Sequence, residues 1–241
     1  PKQMLPIVGR RMIELVLVHL ARHGIDSAVL SMGYRPDAFT ERYPDGRCEG
    51  VELHFAVEPE PLDTAGAVRF AARDAGIDER FVVINADVLT DIDVSALIDF
   101  HADRGAEGTI ALHKVEDPSA FGVVPTDGQG RVEAFVEKPP IEEAPTDLIN
   151  AGIYVLEPSV LDRIADDRRV SIERETFPGM VDDGTLYARA DDAYWIDTGT
   201  PALYIRAQTD LIDGTRSQRL DPIDPTATID PGAEVDRSVV G

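Results

Sequence analysis

One cysteine, Cys48, occurs in 241 residues. That excludes a disulfide framework and any metal site built from cysteine pairs, and it suits a reducing, cytoplasmic compartment. Long apolar runs are also missing. The longest, around Ile13 to Leu20, is broken by Glu14 and His19, well short of the ~20 residues a membrane span needs. No charged-then-apolar leader opens the chain. Positive charge is scarce: 23 Lys+Arg against 45 Asp+Glu give a formal charge of −22. Such a surface repels nucleic-acid phosphates and anionic lipid, so neither nucleic acid nor membrane is an expected partner. Lysine is scarcest of all, with only Lys2, Lys114 and Lys138; the other twenty basic residues are arginines. A GC-rich genome or adaptation to salt accounts for most of that bias.

What is present reads as an α/β domain. Met12 to His23 carries Ile13, Val16, Leu17 and Leu20 at helical spacing and is closed by Gly24. Strands are predicted at Ser27 to Met32, Val51 to Val57, Phe81 to Asn85 (fully apolar and buried), Gly108 to Val115, Ala151 to Leu156 and Leu186 to Arg189. Helices are predicted at Asp37 to Tyr43, Thr64 to Asp74 with Asp63 or Thr64 as N-cap, Val94 to Asp103, Ser159 to Ile164 and Pro201 to Asp213. Asp127-Gly128-Gln129-Gly130 signals a hairpin between Phe121 to Pro125 and Arg131 to Glu137. Alternating βαβ units followed by a hairpin-rich half imply a Rossmann-like, mixed but mainly parallel sheet flanked by helices. Ligands collect beyond the carboxyl ends of such strands, which marks Asp87.

The tail has a different period. Ile223, Ile229 and Val235 form one series of step six, and Ala227, Ala233 and Val239 another. This reads as the start of a left-handed β-helix of hexapeptide turns, too short to bury its own core. The expected division is a catalytic domain at 1–215 and a linker with the first hexapeptide turns at 216–241. The chain opens without an initiator Met, so it is expected to be a fragment cut at both ends.

The scarce lysines now become informative. Lys2 lies in Pro1-Lys2-Gln3-Met4-Leu5-Pro6, and Lys138 follows a strand in Glu137-Lys138-Pro139-Pro140. With Asn85-Ala86-Asp87, Asn150-Ala151-Gly152, Ser171-Ile172-Glu173-Arg174-Glu175-Thr176-Phe177-Pro178 and Tyr194-Trp195-Ile196-Asp197-Thr198-Gly199-Thr200-Pro201, they form an ordered set. The chain resembles the sugar-1-phosphate nucleotidyltransferases, the nucleoside-diphosphate-sugar pyrophosphorylases, and among them the mannose-1-phosphate guanylyltransferases. Each motif alone is weak; their number and order make the likeness specific, over essentially the whole chain.

The resemblance implies transfer of a nucleoside monophosphate from a nucleoside triphosphate to a sugar-1-phosphate, with pyrophosphate released and Mg²⁺ as cofactor. It implies Lys2, Asp87, Lys138 and Asp197 as catalytic residues, Asp87 and Asp197 being the Mg²⁺ pair. The nucleotide would lie against Glu58, Asp63, Thr64, Ala65 and Ala86, and the sugar phosphate against Gly122, Glu137, Lys138, Asn150 and Gly152. Glu58 favours GTP, because one carboxylate can accept both N1–H and N2–H of guanine. Pyrimidine-using relatives tend to carry Gln there. The alternatives are a glucose-1-phosphate uridylyl- or thymidylyltransferase, and a non-catalytic regulatory homologue that binds nucleotide-sugar. In relatives the β-helix looks like an assembly element, so a homo-oligomer is expected through it.

Three departures stand out. Asp63 replaces a glycine before Thr-Ala-Gly, harmless if it caps the helix. Ala86 replaces the middle glycine of Asn-Gly-Asp, mild if its φ is negative. The Gly-rich loop with its arginine, which in the family precedes the Pro-Lys motif, is absent from these residues. The fragment is therefore expected to be nearly inactive and to expose an apolar seam where a first strand would pair.

Overall fold

The computed structural model describes residues 1–166, 168–216, 219–235 and 238–240. After a 3₁₀ turn at Lys2–Met4, a small hairpin of β1 (Pro6–Ile7) and β2 (Arg10–Arg11) leads into α1 (Met12–Arg22). There follow β3 (Ser27–Met32), α2 (Asp37–Thr40), β4 (Arg47–Cys48), β5 (Val51–Val57) and α3 (Asp63–Asp74). The centre contains β6 (Phe81–Ile84), β7 (Val88–Thr90), α4 (Val94–Arg104), β8 (Gly108–Lys114), β9 (Gly122–Val123), β10 (Val136–Glu137) and β11 (Leu148–Leu156). The last part has a 3₁₀ stretch at Pro158–Arg163, a π turn at Ile172–Thr176, α5 (Phe177–Asp182), β12 (Leu186–Ala190), β13 (Trp195–Asp197) and α6 (Pro201–Asp213).

Local chemistry explains the helix ends. Glu14 reaches back from the first turn of α1 to accept the Arg11 N–H at 3.0 Å, and Gly24 leaves that helix at φ +79. Asp93 caps α4 by accepting the Ala96 N–H, and Thr200 caps α6 through the Leu203 N–H. Gly105 and Gly214 close those helices in the left-handed region. Asp63 does not cap α3. The N-cap is Leu62, without a side-chain bond, and Asp63 itself takes φ +65. It thus adopts the backbone that a glycine would take without strain.

The sheets are mixed, as expected, but neighbouring strands are mostly antiparallel. The main sheet runs β10-β9-β11-β8-β12, with β6 on β11 as well. β8 and β12 pair in parallel, while β11 opposes β6, β8 and β9. β6, β8, β9 and β12 point one way; β11 runs against them and makes antiparallel contacts with the first three, while β8 and β12 keep their parallel pairing. A second sheet, β3-β5-β4, has a parallel β3–β5 pair. The hairpin at Asp127 forms, with the Gly130 N–H donating to the Asp127 carbonyl. β6 is half-buried rather than fully buried, because among the described residues only β11 pairs with it.

Apolar side chains fill the layers between these elements. α3, α5 and the Pro158–Arg163 stretch cover one face of β8, β11 and β12 around Phe177, Tyr154 and Leu156. α4 packs on the other face around Leu97 and Ile153. α1 joins the smaller sheet through Ile13 and Leu17, and joins α6, β7 and β13 through Leu15, Leu89 and Leu211. In the tail, turns at Asp224 and Asp230 repeat six residues apart, and Ile223 bridges Val240 in parallel. Residues 236, 237 and 241 of the hexapeptide pattern lie outside the described residues.

Candidate active site

β7 and β13 form a short antiparallel ribbon in the register Val88–Asp197, Leu89–Ile196 and Thr90–Trp195. It brings Asp87 and Asp197, 110 residues apart in the chain, to one end. There the Asp87 carbonyl accepts from both the N–H and the hydroxyl of Thr198, at 3.0 and 2.9 Å. Asp197 accepts the Gly199 N–H at 2.6 Å. The Lys2 ammonium forms an ion pair with the Asp87 carboxylate. Three of the four expected catalytic residues therefore share one locus.

The Asn150-Ala151-Gly152 turn is a bulge in β11, where the register with β8 shifts between Asn150 and Tyr154. Gly152 sits at φ +73, and a Cβ there would lie 2.6 Å from Asn85 Nδ2. Only glycine fits both conditions. Its carbonyl accepts the Asn85 N–H at 2.8 Å, which ties the bulge to the turn carrying Ala86 and Asp87. Ala86 is not among the residues of positive φ, so its substitution for glycine is mild. Asn150 accepts the Gly152 N–H and donates to the Tyr154 hydroxyl. Trp195 donates its indole N–H to the Ala151 carbonyl at 2.9 Å, linking bulge and ribbon.

Beside the bulge, β9 pairs with β11 through Val123 and Ile149, and Glu137 lies opposite Gly122 in the β9–β10 ladder. A Cβ on Gly122 would collide with the Phe135 ring at 2.5 Å. Lys138 has φ +51, and its ammonium lies 3.5 Å from Glu137 with the side chain largely exposed. Lys114, which lies in none of the quoted motifs, pairs with Asp147 on the surface.

Glu58 follows β5 and uses both carboxylate oxygens, accepting from the Ser31 hydroxyl at 3.1 Å and the Leu62 N–H at 3.2 Å. It thereby shapes the loop before α3. Thr64 accepts the Ile172 N–H and donates to Glu173, each at 2.8 Å, and the Ala65 N–H donates to the Val170 carbonyl. The start of α3 is thus held against the segment at 170–173. Burial pushes the Tyr154 phenol well above its usual range, and the Glu173 and Glu137 carboxylates add to it. Asn85, Tyr154, Glu173 and Thr198 were not singled out as site residues. Their neighbours in the motifs were the signal: each lies within four residues of an expected site residue or within a quoted motif.

Around these elements stand five carboxylates (Glu58, Asp87, Glu137, Glu173 and Asp197) and two ammonium groups, Lys2 and Lys138. Asp87 and Asp197 offer hard oxygen donors, and no group of three potential ligands surrounds them among the described residues. That donor set fits Mg²⁺, which takes one or two carboxylates and completes its shell with phosphate and water. Among the described residues, no helix is long and apolar enough to cross a membrane.

Residues 1–214 match the Nucleotidyl transferase family. The mannose-1-phosphate guanylyltransferase of Mycobacterium tuberculosis is 42% identical over 216 residues, covering 89% of this chain and 59% of that protein. The mannose-1-phosphate guanyltransferase of Schizosaccharomyces pombe is 37% identical over 249 residues, covering 99% of this chain and 68% of that protein. The chain therefore spans about three fifths of the Mycobacterium tuberculosis protein's length. A crystal structure of HddC from Yersinia pseudotuberculosis, complexed with GMP-PN, superposes with a TM-score of 0.74 at 27% identity, covering 86% of this chain and 88% of that one. UDP-glucose pyrophosphorylase complexed with UDP-glucose shares the fold, with a TM-score of 0.75 at 19% identity and coverage of 88% and 90%. With its first 214 residues matched and its fold shared, the chain belongs to the nucleotidyl transferase family.

Proposed function

We propose that this chain is the transfer unit of a mannose-1-phosphate guanylyltransferase, converting GTP and mannose-1-phosphate to GDP-mannose and pyrophosphate. The observation that carries the reading is the convergence of Lys2, Asp87 and Asp197 at one end of the β7–β13 ribbon. The named relatives at 37–42% identity support the choice of base and sugar.

A phosphate oxygen of the sugar phosphate attacks the α-phosphorus of GTP in line, the bond from that phosphorus to the oxygen bridging it to the β-phosphorus breaks, and pyrophosphate leaves with that oxygen and the electron pair. Such chemistry asks little covalent work of the protein; positioning and charge neutralisation dominate. Lys138 and Glu137 hold the phosphate and hydroxyls of the sugar, with Gly122, Asn150 and Gly152 offering backbone and amide contacts. Glu58 accepts from the guanine edge, beside Asp63, Thr64, Ala65 and Ala86. Lys2 neutralises the nucleotide phosphates once it exchanges its Asp87 partner for them. Asp87 and Asp197 would hold Mg²⁺, which when bound would supply charge neutralisation at the reacting phosphates. Residues 1–215 form the transfer unit, and 216–241 begin a β-helix through which copies of the protein assemble.

Pyrophosphate release by the full-length protein, measured with GTP, UTP, dTTP and ATP against mannose- and glucose-1-phosphate, tests this. The expected result is turnover favouring GTP with mannose-1-phosphate, lost in Asp87→Asn. Preference for UTP or dTTP with glucose-1-phosphate moves the assignment to that transferase class. Binding of nucleotide-sugar without turnover with any pair moves it to a regulatory homologue.

A further inference from the structure

Arg216 stands two residues past the matched family region, yet its side chain is only 1% exposed. Its Nε donates to Asp91 Oδ1 at 3.0 Å and its Nη2 to the Thr90 carbonyl at 2.9 Å. Nη1 is buried with no hydrogen-bond partner. A buried guanidinium that leaves a nitrogen unsatisfied is an expensive way to gain stability, and calls for another reason.

Its two partners supply one. Thr90 ends β7, and Asp91 extends the ladder by donating its N–H to the Tyr194 carbonyl at 2.9 Å. The Thr90 hydroxyl donates to the same carbonyl. The ribbon therefore has Asp87 and Asp197 at one end and the Arg216 clamp at the other, about 10 Å away at ~3.3 Å per residue. No third strand joins it among the described residues. A two-stranded ribbon alone is marginal in water, so its register depends on Leu89 and Ile196 packing beneath it and on what grips its far end.

We propose that Arg216 is a positioning residue: by holding Thr90 and Asp91 it sets the register of the β7–β13 ribbon, and so the spacing of the two cation-binding carboxylates. The segment after α6 is thereby coupled to the metal pair. The proposal rests on the reading of Asp87 and Asp197 given above.

The test uses the intact protein carrying Arg216→Met, and the double variant Asp91→Asn/Arg216→Met, which also removes the carboxylate charge that faced the guanidinium should the single variant fail to fold. Amide hydrogen exchange is followed over 88–91 and 194–198, and Mn²⁺ binding in the presence of GTP is followed by EPR of the free ion. The expected result is exchange at least tenfold faster in the ribbon than in wild type, with β8 and β11 unchanged. Mn²⁺ affinity falls at least tenfold, while GTP affinity without metal holds. Wild-type exchange in the folded double variant, or faster exchange with unaltered Mn²⁺ affinity, overturns the proposal. A wild-type protein that binds no Mn²⁺ with GTP refutes the reading of Asp87 and Asp197 itself. Equal Mn²⁺ binding by wild type and variant refutes the clamp alone.

Discussion

Gly152→Ala separates the positioning of the bulge from simple loss of stability. The methyl group meets two obstacles: a backbone at φ +73 and Asn85 Nδ2 at 2.6 Å. A left-handed L-residue costs about 1–2 kcal/mol, partly offset by ~0.5 kcal/mol from the stiffer unfolded chain. Displacing Asn85 adds about 1–3 kcal/mol, the usual range for overpacking. The sum is about 3 kcal/mol, a fall in Tm of roughly 6–12 °C for a chain of this size. Gly24→Ala is the control, because φ is +79 there but nothing lies within 4 Å of the new Cβ; it should cost only about 1 kcal/mol. Moving Asn85 drags the turn bearing Asp87, since the Asn85 N–H donates to Gly152. A displacement of ~1 Å costs on the order of 100-fold in rate. Thermal unfolding and steady-state pyrophosphate release on both variants decide. If Gly152→Ala is no more destabilising than Gly24→Ala, or keeps wild-type kcat/KM, the bulge does not position the site.

Three further perturbations test other parts of the site and fold. Glu58→Gln exchanges an acceptor for an amide and should lower kcat/KM with GTP by about 10–100-fold, as expected for losing a charged hydrogen bond, with UTP and dTTP less affected; an unchanged base preference removes Glu58 from base recognition. His19 is buried, and that burial, with His23 and Arg216 adding positive charge, lowers its pKa to about 4. The native state therefore resists protonation that the unfolded chain accepts near 6.5. The stabilisation is complete above pH ~6.5 and is lost as pH falls towards 4, at about 1.4 kcal/mol per unit and about 3 kcal/mol in all; urea midpoints from pH 7 to 4 should decline less steeply in His19→Leu, and an equal decline refutes this. Asp63→Gly relieves the left-handed backbone at φ +65 and should stabilise by about 0.5–1 kcal/mol, so a lower denaturation midpoint in that variant contradicts the strain.

The pattern of what the sequence made legible has a physical basis. α1, α4 and α6 carry apolar residues at helical spacing and end in glycine, so propensity, period and cap agree. β3, β5 and β8 are long enough to display β character for the same reason. β7 and β13, at three residues each, are too short to have a period, and nothing local says that one pairs with the other across a hundred residues. Asp87 and Asp197 were therefore legible as members of motifs, whereas the ribbon that unites them was not. The insertion of β11 among strands of opposite direction is likewise a property of the sheet. Alternation along a strand reports which face is buried, and is silent on the direction of its neighbour.

Asp63 and Arg216 mark the limit more sharply. Asp63 has the right chemistry to cap a helix, so cap preference points to a position that Leu62 occupies instead, without a side-chain bond. The departure from glycine at that position was the better signal, because backbone conformation persists when side chains change. Arg216 gave no signal at all: in a chain with twenty arginines, composition places each on the surface. Burial of a guanidinium becomes visible only when Asp91 and the Thr90 carbonyl come together at the end of one ribbon. Charge read along the sequence is thus a bulk quantity, uninformative at single sites. The same chain whose formal charge is −22 brings Lys2 to Asp87, and in the reading given above holds Lys2 and Lys138 for two small phosphorylated substrates.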